Sequence, residues 1–219
     1  HRQVEVLHEA VDWPHETVPG IAVILDDASV YETNGDATFL NEAVIWELRM
    51  GLARCGVPYR IYLLEDLAKE NFPEHRLFYF PNLFKVTDER LDLLRRTVFR
   101  NGHVVLWGPG SGISDGRTVS KDHATRLTGF EFEQINSNAM RRVLVAGDHP
   151  IVEDVPEGTF IGGRLAYGPV LMPRSGESLG LLWSKRGINA PGLVVETRGE
   201  GEQQWTSVFT AEIGRASCR

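Results

Sequence analysis

Apolar and polar positions fall into blocks along this chain, and the blocks change character halfway. Residues 20–27, GIAVILDD, form a continuous apolar run closed by two acids. A run that is apolar at every position suits a strand buried on both faces, as in a parallel sheet. Residues 36–56, DATFLNEAVIWELRMGLARCG, switch to helical spacing: Leu40, Val44, Leu48 and Leu52 share a stripe, with Phe39, Ala43 and Trp46 beside it. Thr38 is the expected N-cap and Gly56 the residue just past the end. The next run, PYRIYLL (58–64), predicts a strand, and EDLAKEN (65–71) a short helix or turn. RLFYFPN (76–82) predicts a third strand. In TDERLDLLRRTVFRNG (87–102), Thr87 caps a helix with acids in its first turn and arginines in its last. Leu91, Leu94 and Val98 form its core stripe and Gly102 ends it. HVVLWG (103–108) predicts a fourth strand. Strand and helix alternate, the signature of βαβ units and of a doubly wound, mostly parallel sheet.

The second half loses that alternation. A short helix, KDHATRLTG (121–129), is capped by Ser120 and stopped by Gly129. Strand-like runs follow: FEFEQI, RRVLVAG, SLGLLWSK, GLVVETR and QQWTSVFTA. The glycine-rich turns between the last three predict a small antiparallel meander.

Composition narrows the classes. The chain has 219 residues, 42% hydrophobic and 24% charged, enough for one large domain or two small ones. A formal net charge of −7, with scattered basic residues, argues against nucleic acid and anionic membrane as partners. No apolar run approaches the roughly 20 residues of a membrane-spanning helix. The two cysteines, Cys55 and Cys218, make neither a disulfide framework nor zinc spacing. Cys55, at the end of its helix, reads as a small buried apolar residue.

The stretch HVVLWGPGSGISDG (103–116) is the first candidate for chemistry. A nucleophile elbow needs glycine two residues before and two after the nucleophile, because the turn is tight. Around Ser111 those places hold Pro109 and Ile113, and the next helix waits until Ser120. Gly108, Gly110 and Gly112 read G-x-G-x-G, without the third glycine spacing of a dinucleotide fingerprint and without G-K-[ST]. The remaining role for these glycines is backbone geometry at the exit of a buried strand.

In open α/β sheets, ligands bind beyond the carboxyl ends of the strands. Four predicted ends carry Asp26–Asp27, Glu65, Asn82 and the glycine loop. The candidate crevice is therefore Asp26, Asp27, Tyr31 and Asn82 on one side. Gly110, Ser111, Gly112 and Asp115 complete it on the other. Asp26 and Asp27, being adjacent, are expected to point to opposite faces rather than share one site. None of the seven histidines (His1, His8, His15, His75, His103, His123, His149) has metal-ligand spacing. His123 follows the glycine loop and is the histidine placed to approach it. Trp107 is either core or a sugar-stacking platform, with core the expectation. No metal and no cofactor is expected.

Three stretches taken together carry a resemblance: GIAVILDDASVYETN, RLFYFPNLFKVTDERLDLLRRTVFRNGHVVLWGPGSGISDG and KDHATRLTGFEF. In order and spacing they resemble the trimerisation-type domain of family 42 glycoside hydrolases and related β-galactosidase-like proteins. The resemblance covers about residues 20–135. It implies an α/β, flavodoxin-like (class I glutamine amidotransferase-like) doubly wound, mostly parallel sheet with an antiparallel strand-rich C-terminal part. In that family the domain follows a catalytic (β/α)₈ barrel. True amidotransferases carry a cysteine nucleophile in the loop that matches Gly108–Gly112 here, and this loop has none.

The resemblance implies a non-catalytic domain at 19–212, with 1–18 as a linker from an upstream barrel and 213–219 (GRASCR and the preceding Ile213) as a vector- or adaptor-derived tail. A further helix and strand beyond Glu212 would be expected of the family. The implied function is structural: oligomerisation of a β-galactosidase-like glycoside hydrolase as a homo-oligomer, with a contribution to the rim of a sugar site. Two alternatives stay open, an amidotransferase-like hydrolase using Ser111 and a carbohydrate or small-ligand binding module.

Overall fold

The computed structural model describes residues 20–33, 48–54, 56–136, 139–156, 158–162, 166–184 and 190–212. The expected linker 1–18, the cap Thr38, both cysteines and the tail 213–219 lie outside the described residues.

In chain order the strands are β1 (Ile21–Leu25), β2 (Tyr59–Leu63), β3 (Leu77–Phe80), β4 (His103–Trp107), β5 (Phe132–Ile135) and β6 (Ala139–Val145). They continue with β7 (Phe160–Ile161), β8 (Ala166–Tyr167), β9 (Val170–Pro173), β10 (Glu177–Ser184), β11 (Ala190–Arg198) and β12 (Trp205–Thr210). The described α-helices are α1 (Leu48–Arg54), α2 (Asp88–Thr97) and α3 (Lys121–Thr128), and short 3-10 helices cover Asp27–Glu32, Leu64–Ala68 and Gly201–Gln203.

The main sheet runs β2-β1-β3-β4-β12-β11-β10-β6-β7. Its first five strands are mutually parallel, and every pairing from β12 to β7 is antiparallel. With β12 in fifth place, the parallel part has the 2-1-3-4-5 order of flavodoxin-like folds. That is the fold class the resemblance implied. Continuous apolar runs behave as expected of doubly covered strands: Ala22, Val23 and Ile24 in β1 are fully buried, as are Phe80 in β3 and Trp107 in β4.

The last three strands form the expected antiparallel meander, β10-β11-β12. The second half departs from the expectation in two ways. β12 pairs with β4 in parallel register, Trp205 opposite His103 through Phe209 opposite Trp107, and so fuses both halves into one sheet. The run VLMP was also not expected as a strand. As β9 it is buried along its whole length and pairs with β5 in a separate two-stranded sheet. Four residues ending in a proline give no readable period.

Helix ends follow local chemistry. Thr87 Oγ1 accepts a hydrogen bond from the Arg90 amide at 3.3 Å, starting α2. Ser120 Oγ does the same for the Asp122 amide at 3.1 Å, and Gly129, at φ 84°, ends α3. Leu91 and Leu94 of α2 and Leu127 of α3 are buried in the core. Each contributes about 1.5–3 kcal/mol by leaving water. Trp107 joins the layers. It stacks on Phe80 at 5.0 Å and donates from Nε1 to Ser207 Oγ at 3.0 Å, and Ser207 donates onward to the Thr128 carbonyl at 2.8 Å.

Candidate functional site

In a 2-1-3-4-5 sheet the chain changes winding direction between β1 and β3, and the crevice beyond their carboxyl ends is where such folds take ligands. Asp26 follows β1 and Asn82 follows β3, and the structure brings the two together. The Asp26 amide donates to Asn82 Oδ1 at 3.1 Å, and Asn82 Nδ2 donates back to the Asp26 carbonyl at 2.8 Å. The side-chain amide thus completes the backbone ladder where the strands part.

The Asp26 carboxylate is 1% exposed and faces inward. Arg90 meets it fork to fork, Nη1 to Oδ2 at 2.8 Å and Nη2 to Oδ1 at 2.9 Å. Ser29 Oγ donates to Oδ2 at 2.5 Å and itself accepts from the Phe84 amide at 3.1 Å. Arg90 Nη1 is also anchored on the Lys85 carbonyl at 2.9 Å. A buried ion pair of this bidentate kind holds only when its remaining hydrogen-bonding groups are satisfied, and here the backbone of residues 84 and 85 satisfies them.

The 3-10 helix Asp27–Glu32 then crosses the strand ends as a strap. Ser114 Oγ donates to Glu32 Oε2 at 2.6 Å, and Lys85 Nζ lies 3.7 Å from Glu32 Oε1. On its outer side Asp27 is exposed and Tyr31 is 88% exposed. Asp26 and Asp27 therefore point to opposite sides, one into the core and one to solvent.

The glycine loop is zipped to the segment after β3. Gly108 donates from its amide to the Phe80 carbonyl at 2.9 Å, Gly112 to Leu83 at 2.7 Å and Ser114 to Phe84 at 3.0 Å. Gly112 sits at φ +71°, and a Cβ there would lie 2.9 Å from Leu127 Cβ and 3.1 Å from Ala124 Cα. The glycine is required twice, by its dihedral and by the close approach of α3. Gly110, at φ +75°, lies over the Phe84 ring. Ser111 is fully buried, and its hydroxyl donates to the Gly108 carbonyl at 2.8 Å. A nucleophile needs an exposed oxygen and a base to take its proton. This hydroxyl faces the chain's own backbone.

Asp115 and His123 lie one turn further on. Asp115 accepts from the amides of Arg117 and Thr118 at 2.8 and 2.7 Å, which hold its carboxyl down at about 2. His123 Nε2 is 2.9 Å from Thr118 Oγ1 and 3.7 Å from Asp115 Oδ2. A catalytic relay places the acid on one ring nitrogen and the nucleophile on the other. Here both neighbours meet the same nitrogen, an arrangement that ties a loop together without activating a hydroxyl. Trp107 is fully buried core rather than a platform. Among the described residues no group of three or more His, Cys, Asp or Glu side chains is placed to hold a metal.

Sequence reasoning missed Arg90, Ser29, Glu32 and Ser114. One signal was present for Arg90. A cation in the first turn of a helix opposes the helix dipole, so it calls for a partner of its own.

No protein-family model matches the sequence, and no curated protein matches it either. Solved structures do match in fold. A cold-adapted β-galactosidase from Rahnella sp. R3 superposes with a TM-score of 0.67 at 14% identity, over 91% of this chain and 29% of that one. The E323A catalytic mutant of Gan42B, a GH42 β-galactosidase from G. stearothermophilus, gives a TM-score of 0.60 at 15% identity, over 98% of this chain and 30% of that one. A ThuA-like protein from Bacteroides uniformis ATCC 8492 gives 0.51 at 14% identity, over 93% of this chain and 86% of that one. The chain spans less than a third of the length of these β-galactosidases. At such identities the likeness is one of fold.

Proposed function

We propose that the chain is a non-catalytic structural and oligomerisation domain of a β-galactosidase-like glycoside hydrolase. The observation that carries this reading is the switch-point crevice. The place where a fold of this order takes a ligand is filled by Arg90 on Asp26, and the neighbouring hydroxyl, Ser111, is buried on its own backbone. The likeness to about 30% of a GH42 β-galactosidase chain supports a module that works beside a larger catalytic part. In that assembly a catalytic barrel of the same parent chain and further copies of this domain are the partners. Asp27 and Tyr31, on the outer side of the strap, are the groups it would offer to the rim of a neighbouring sugar site.

Purified chain given a chromogenic galactoside is expected to release no product, with or without Ser111→Ala. Turnover that Ser111→Ala abolished would overturn the reading in favour of a hydrolase. Sedimentation equilibrium tests assembly: self-association is expected, and a strict monomer at all concentrations would remove the oligomerisation role. The exposed Tyr31 favours one second reading, a small-ligand module. Calorimetry against galactose would show saturable heat, lost in Tyr31→Ala, if that reading held.

A further inference from the structure

We propose that the switch-point crevice is a carboxylate-binding site occupied in cis by the chain's own Asp26. The inference rests on the crevice being closed from within, and extends it to what the closed space is built to hold.

Each donor around Asp26 has an anchor of its own besides Asp26. Ser29 Oγ is fixed by the Phe84 amide at 3.1 Å, and Arg90 by the Lys85 carbonyl at 2.9 Å and by its place on a capped helix. They present one hydroxyl and one guanidinium edge to a carboxylate that is almost wholly enclosed: Ser29 is 0% exposed and Asp26 1%, with the Arg90 side chain 16% exposed at the mouth. A planar guanidinium fork matches two carboxylate oxygens and suits a spherical halide poorly. The site is therefore complete in charge, shape and anchoring without the acid that fills it. In the native chain that acid is tethered next to its donors, so its effective concentration exceeds that of any free anion.

Deleting the tethered carboxylate makes the site visible. Asp26→Ala removes a CO₂⁻ group and leaves a gap of formate size facing an unpaired buried cation. Melting temperatures are compared in about 100 mM sodium formate and in matched sodium chloride, and formate is expected to raise that of Asp26→Ala by roughly 3–6 °C with saturable dependence. Acetate, with a methyl group to accommodate, is expected to act more weakly. The native chain is expected to show no difference between the salts, and Asp26→Ala/Arg90→Met is expected to lose the response. If Asp26→Ala is unfolded in chloride, recovery of its far-ultraviolet circular dichroism in formate supports the proposal and no recovery overturns it. A folded Asp26→Ala that ignores formate, or a double variant that still responds, also overturns it. Either failure leaves the non-catalytic reading standing, since that is tested by galactoside turnover.

Discussion

The two ends of the parallel strands are closed by different physics. At the carboxyl ends a buried ion pair, Arg90 with Asp26, sits inside a ring of hydrogen bonds. At the amino ends the closure is made of rings. Phe99 stacks on Trp205 at 4.2 Å, Phe78 packs on His103 at 5.1 Å and on His75 at 6.2 Å, and the Tyr62 hydroxyl meets His75 Nε2 at 3.0 Å. At each end a polar group is shielded from water, Asp26 at one and His75 at the other. The ionic end depends on complete partnership, because half a buried pair is worse than none. The aromatic end depends on area and on the His75 imidazole staying neutral. Position in the fold thus says where a pocket would form, and the side chains at that position decide whether there is one.

Removing one member of the ion pair tests the first half of that contrast most severely. Arg90→Ala leaves the buried Asp26 carboxylate without its counter-charge and is expected to cost about 3–5 kcal/mol in urea denaturation. Asp26→Ala/Arg90→Met is expected to cost less than Arg90→Ala alone. A cost for Arg90→Ala below about 1 kcal/mol would mean that the pair behaves as a surface bridge, and the contrast fails.

Two glycines separate the ends on steric grounds. Gly112, in the carboxyl-end loop, and Gly102, before β4 at the amino end, have nearly the same φ, +71° and +70°. Gly102 has open space around its Cβ direction, whereas a Cβ at Gly112 meets α3. Alanine at Gly102 is expected to cost about 1 kcal/mol, and at Gly112 about 2–3 kcal/mol. Equal losses would show that the loop yields to α3. Ser111→Ala removes one buried hydrogen bond to the Gly108 carbonyl and is expected to cost about 1 kcal/mol.

The smallest effect is a difference in pH response. Burial lowers the pKa of the His75 imidazole from 6.5, against a weaker pull from the Gly20 backbone and with a still smaller further push from the Arg60 charge. The unfolded chain then binds more protons between the lowered value and 6.5, so this stabilisation is full above that window and is lost as pH falls through it. Asp115 behaves in the same sense over a lower range. Its carboxyl, held at about 2 against an ordinary 3.8, contributes above 3.8 and loses its contribution as pH falls through about 2. Mild acid should therefore loosen the amino end first, and the slope of stability near pH 6 should vanish in His75→Phe. An unchanged slope in that variant would assign it elsewhere.

Much of this was legible in the sequence, for reasons that are local. GIAVILDD announces a doubly buried strand by its unbroken apolar run, and Pro109 and Ile113 exclude an elbow by spacing alone. The capped helices starting at Thr87 and Ser120 follow from single residues. What was not legible depends on partners far away. The parallel pairing of β12 leaves no mark in QQWTSVFTA, which has neither the unbroken apolar run of β1 nor a period of its own. Arg90 and Asp26 lie 64 positions apart, and no pattern near either names the other. A sequence with acids after a strand reads as an open polar crevice until the cation that fills it is seen.

One feature of the sheet sets an order in time. β4 leans on β12 along its full length, and the Trp107–Ser207 bond that fastens them spans 100 positions. During synthesis at about 5–20 residues per second, β4 therefore waits about 5–20 s with that edge unpaired. A seam in the middle of the sheet is thus closed late, and the nascent chain is open to wrong pairing at the β4 edge during that interval.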